Sequence, residues 1–129
     1  MVQGFRWLFA ALAWLFVAGV GYQVLLAGLF LFDPGTSSKA HIDFGYSLSL
    51  APVLVLVSGA MGRVGAPLLA LTGALLVLTF VQTILPTVRG DAPFVAALHP
   101  LNALLIFWLA VTVARRGLAR ARAQAPAQA

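Results

Sequence analysis

Four long runs of apolar residues, at 7–32, 40–61, 66–85 and 93–114, are separated by short polar breaks. Each run has about 20 residues or more, enough at 1.5 Å per residue to cross a hydrocarbon core of about 30 Å. Polar side chains are rare within them. Asp33-Pro34-Gly35 closes the first run, and Thr36-Ser37-Ser38 offers a helix N-cap before the second. Pro52 predicts a kink in the second helix. Pro67 opens the third, and Pro86 ends it. Short connections make successive helices antiparallel neighbours. The expected fold class is therefore all-α, an integral membrane four-helix up-down-up-down bundle over residues 1–116. Residues 117–129, rich in Ala, Arg, Gln and Pro, read as a mobile basic tail.

The polar positions that do occur inside the runs fall into a pattern that occurs twice. Gln23 lies late in the first run and His41 follows eighteen positions later; Gln82 lies late in the third and His99 follows after seventeen. These are the only two histidines of the chain. The halves read as a two-fold pseudo-repeat of helix pairs, related by an axis along the membrane normal.

Composition agrees with the patterning. The chain is 62% hydrophobic and 9% charged, too few charges to cover a water-soluble domain. Its net charge of +5 does not point to nucleic acid, because the positive residues sort by loop. Arg6, Arg63, Arg115, Arg116, Arg120 and Arg122 fall at one side, and Lys39 and Arg89 at the other with Asp33, Asp43 and Asp91. The excess of arginine predicts that both termini are cytoplasmic. Without cysteine, thiolate metal sites and covalent haem attachment are excluded. No carboxylate pair, Ser-His-Asp set, H-E-x-x-H motif or phosphate-binding glycine loop appears, so no independent catalytic activity is expected.

An ionisable group within a span is a site hypothesis by default. A pseudo-twofold axis brings His41 and His99 toward each other, the arrangement of two axial ligands to a b-type haem. Gly45 and Ala103, one turn below the histidines, leave room for a flat macrocycle, with Phe44, Tyr46 and Phe107 as walls. Ligation requires the two imidazoles to lie at one depth, which holds if the fourth helix begins near His99 rather than at Pro93. Asn102, one turn from His99, is a candidate to orient the imidazole or a quinone carbonyl, or to bond a backbone carbonyl. The alternative reading has Gln23 bonding His41 and Gln82 bonding His99 as links between helices.

Gln23-Val24-Leu25-Leu26-Ala27-Gly28 with His41, and Gln82-Thr83-Ile84-Leu85 with His99, resemble the helical core of the haem A synthase family, where Gln-x-x-Leu-Gly leads to a histidine-bearing helix. That family has eight spans, four histidines and a catalytic acid, so the resemblance implies one haem-holding half without haem oxidation. The chain also resembles a bacterial family of small, uncharacterised four-helix membrane proteins with a histidine heading helices two and four. Together these imply a multi-pass protein of the bacterial inner (plasma) membrane. In it His41 and His99 would ligate one haem b for electron transfer within a larger complex of membrane subunits. A non-catalytic accessory subunit without cofactor, and a subunit binding a quinone or a chlorophyll-type pigment, remain as alternatives.

Overall fold

A computed structural model describes residues 1–123 and contains only helices and turns among them. The elements are α1 (Val2–Phe32), α2 (Lys39–Leu48), α3 (Ala51–Met61), α4 (Ala66–Ile84), a 3-10 turn (Leu85–Val88), α5 (Pro93–Ala96) and α6 (Leu98–Arg122). Taken as four spans, these are Val2–Phe32, Lys39–Met61, Ala66–Val88 and Pro93–Arg122, each long and apolar enough to cross a membrane. α1 packs mainly against α6 and α3, and α4 against α6 and α3. The four spans thus form a closed ring in which chain neighbours are antiparallel, as the short connections require.

Prolines punctuate the second and fourth spans. Pro52 cannot donate to the Leu48 carbonyl, and the helix breaks just ahead of it at Ser49–Leu50 before resuming as α3. The fourth span starts with a single turn at Pro93–Ala96 and restarts at Leu98. Pro100 accordingly lies in the first turn of α6, where its missing N–H costs nothing. His99 is the second residue of α6 and His41 the third of α2, so both sit at helix beginnings.

The expected tail is shorter than its composition suggests. α6 runs unbroken to Arg122, and Gly117 and Ala121 are buried. Gln3 Nε2 donates to the Ala121 carbonyl at 2.7 Å, which places both ends of the described chain at the same end of the bundle. α1 continues past its apolar run to Val2 for the matching reason. The remainder of the expected tail, residues 124–129, lies outside the described residues.

Helix approach at this end is set by glycines around one ring. Phe9 is fully buried. A Cβ on Gly117 would lie 2.5 Å from its Cε1, and one on Gly59 would lie 2.8 Å from Cδ2 and Cε2. The ring of α1 therefore fills the space that α6 and α3 leave by lacking side chains, which is how small residues drive association in lipid. Gly62 lets the end of α3 meet the α1 backbone at Phe5 and Arg6, and Arg6 Nε donates to the Gly62 carbonyl at 2.8 Å. Between this end and the histidines the core is apolar. Its buried hydroxyls, Ser58, Thr72 and Thr79, donate to carbonyls three or four residues back in their own helices.

At the histidine end, the turn after α1 is closed by Asp33, which accepts from the Gly35 N–H at 3.1 Å and the Thr36 hydroxyl at 2.6 Å. The Thr36 bond, then the Gly35 bond, hold the Asp33 carboxyl below the ordinary carboxylate range. A depressed carboxylate contributes stability above its unfolded value, and that contribution is lost as pH falls through the folded value. The turn should therefore hold at neutral pH and loosen only in acid. Thr36→Val should move the Asp33 titration upward toward the ordinary carboxylate range, as read by carboxyl carbon NMR in micelles. Lys39 and Asp43 form an exposed i,i+4 ion pair, of small weight in water.

Candidate functional site

The two histidines meet. Their ring centroids are 6.4 Å apart with the planes at 71°. Each is fixed by the glutamine of its own half. His41 Nδ1 lies 3.1 Å from the Gln23 carbonyl oxygen, and His99 Nδ1 lies 3.1 Å from the Gln82 carbonyl oxygen. A carbonyl can only accept, so Nδ1 carries the proton in both rings and Nε2 presents a lone pair. Locking one ring nitrogen on a backbone carbonyl is the usual way a ligating histidine is oriented.

Sequence supplies the free carbonyl in one half. The intrahelical partner of Gln82 C=O would be residue 86, and Pro86 has no N–H. The proline that ends α4 therefore releases the acceptor that His99 uses. In the first half, residue 27 is alanine, and the Gln23 carbonyl serves His41 from within a continuing helix. Pro86 is the participant that motif reading overlooked, and its i+4 spacing from Gln82 was the available signal.

The glutamine side chains complete the network. Gln82 Nε2 is 3.2 Å from His99 Nε2 and donates to its lone pair. Gln82 Oε1 accepts from Asn102 Nδ2 at 2.7 Å, and the same nitrogen donates to the Leu78 carbonyl at 2.9 Å. Every direction in this half follows from the two backbone carbonyls. The first half lacks an equivalent of Asn102, because Phe44 occupies the position three after His41. There Gln23 Nε2 donates to the His41 carbonyl at 2.8 Å and lies 3.4 Å from His41 Nε2. Gln23 Oε1 is buried with no hydrogen-bond partner among the described residues. The pseudo-repeat is thus real in its histidine–carbonyl bonds and broken in its amides.

Gly45 does not leave open space. A Cβ there would lie 2.7 Å from Gln23 Nε2, so the glycine makes room for a carboxamide. Gly45→Ala should push Gln23 off the His41 carbonyl and cost about 1–2 kcal/mol, measurable by reversible unfolding in mixed micelles. The expected aromatic walls also differ. Phe44 stacks edge-on against Tyr22, with centroids 4.9 Å apart, while Tyr46 and Phe107 are exposed on the bundle exterior. The aromatic beside the site is Phe30, whose ring lies 6.0 Å from that of His41. Among the described residues no group of three or more His, Cys, Asp or Glu side chains gathers, and the polar centre consists of two imidazoles, two glutamines and an asparagine.

The fold and this centre define a small polytopic membrane protein, a four-span bundle with two histidine–glutamine pairs meeting at one end. The chain belongs to DUF6220, a family of unknown function whose match covers residues 23–88. The matched segment starts at Gln23 and takes in His41, Gly45, Gln82 and Pro86, and it stops before His99 and Asn102. No curated protein matches the chain. No solved structure matches it either.

Proposed function

We propose that His41 and His99 are axial ligands to one b-type haem, held near one face of the membrane for electron transfer within a larger membrane complex. The observation that carries this reading is the 6.4 Å separation of the rings. A metal held by both imidazoles, at about 2 Å from each, would require ring centroids roughly 6 Å apart. The backbone-bonded Nδ1 atoms support it too, since they leave both Nε2 lone pairs as the donor set.

The fit has two conditions. The rings must leave room for a macrocycle, which Gly45 does not supply because Gln23 fills its space. Each Nε2 is faced by its own glutamine carboxamide, so ligation requires Gln23 and Gln82 to swing aside. Gln23 is the easier of the two, because its Oε1 has no bond to lose. When bound, the haem supplies one-electron chemistry; the chain supplies ligands, an apolar surround and fixed ring orientation. The arginine-rich end faces the cytoplasm of a bacterial cell on this reading, which puts the histidines at the outer side of the plasma membrane.

A second reading is favoured by those same carboxamides: the network is a polar clasp that holds the two helix pairs together in a non-catalytic accessory subunit. Haem titration of the purified chain separates the two. Saturable binding at one haem per chain, lost in His41→Ala, supports ligation. A chain that takes up none, and melts lower when Gln82 is replaced, supports the clasp.

A further inference from the structure

Asn102 has one polar atom that the network leaves over. The residue is 7% exposed. Its Nδ2 is committed to Leu78 and Gln82, two oxygen acceptors that fix which end of the amide is which. Its Oδ1 accepts no hydrogen bond from the described residues, yet it is not among the side-chain atoms sealed from solvent without a partner. Asn102 is also the one polar residue lining a groove of about 200 Å³ between α4 and α6, otherwise formed by Val81, Leu85, Leu98, Leu101 and Leu105. The groove opens on the outside of the bundle beside the exposed Leu101 and Leu105, and an acceptor that lipid leaves without a donor is costly.

We infer that this groove binds the single-ring, hydroxyl-bearing headgroup of a membrane-soluble hydroquinone, with one hydroxyl donating to Asn102 Oδ1 and the tail running out into lipid. The acceptor selects a donor, so the reduced, hydroxyl-bearing form is preferred over the quinone, which offers only carbonyls. A groove of about 200 Å³ has room for one ring, since an apolar cavity of about 150 Å³ accommodates benzene. Leucine and valine walls suit an apolar ring and offer no counter-charge to a headgroup phosphate. The site sits one helical turn from His99, on the amide that bonds Gln82, so a bound hydroquinone would lie beside the proposed haem ligand. The inference concerns binding alone, and it stands whether or not iron is present.

The test is calorimetric titration of the full chain in detergent, under anaerobic conditions, with decyl-ubiquinol, its oxidised quinone and dodecanol as probes. Decyl-ubiquinol should bind at one per chain and about tenfold more tightly than the quinone, the worth of one well-placed hydrogen bond. Asn102→Leu should erase that preference. Leu105→Trp, which fills the groove from a half-exposed position without touching the amide bonds, should abolish binding while leaving the helical melt unchanged. Should Asn102→Leu fail to fold, Leu105→Trp alone decides. Equal binding of quinol and quinone, binding unaffected by Leu105→Trp, or dodecanol binding as tightly as the quinol overturns the inference.

Discussion

Phe9→Ala should lower the stability of the folded bundle by about 2–3 kcal/mol, and Gly117→Leu by more. In lipid the separated helices expose Phe9 to other apolar groups, so the water-to-core transfer term largely vanishes. What remains is the void: roughly 100 Å³ of lost ring at about 24 cal/mol per Å³. Gly117→Leu acts on the same contact from the other side. Its Cβ alone would fall 2.5 Å from a ring carbon, and the ring has little room to retreat, because on the Gly59 side even an added Cβ would lie 2.8 Å from it. α6 must then leave α1, which also breaks the Gln3–Ala121 bond. Reversible unfolding in mixed micelles should show both losses. Gly73→Ala serves as control, since a Cβ there meets nothing within 4 Å; it should change stability by less than about 1 kcal/mol.

The second large effect is spectroscopic. His41→Ala or His99→Ala should each remove the six-coordinate b-type spectrum entirely, because a single imidazole cannot supply both axial bonds. Gln82→Ala should do the opposite. It deletes the carboxamide that faces His99 Nε2 but keeps the backbone carbonyl that orients Nδ1. Haem uptake in Gln82→Ala should equal or exceed that of the unaltered chain, even though Asn102 loses an acceptor and the protein melts lower. A clasp without cofactor predicts the lower melt alone.

Much of the bundle was legible in the letters, and the reasons are physical. A span of 20 apolar residues has few alternatives to a helix in lipid, because every backbone group must be satisfied within the segment. Pro52 and Pro100 marked breaks, and the break before Pro52 and the restart at Leu98 fall where a missing N–H predicts. The pairing of Gln23 with His41 and of Gln82 with His99 was readable because four polar residues recurred at nearly the same spacing. Helix ends were less legible. The stretch after Arg116 is polar and looks like a tail, but Gly117 and Ala121 face Phe9 and Gln3 and continue the helix. Such a contact joins residues over a hundred positions apart, and no local pattern announces it. The amide directions were also out of reach, since they depend on which carbonyls point inward. Gly45 shows the limit well: a small residue one turn from a histidine reads as space for a ligand, and its space belongs to Gln23.

The most direct test is a reduced-minus-oxidised absorption spectrum of the full chain purified from cells supplied with haem precursor. The account predicts b-type bands at one haem per chain, absent from His41→Ala and His99→Ala preparations that still fold. A colourless, folded protein that takes up no added haem would contradict it and leave the two imidazoles as a clasp between helix pairs.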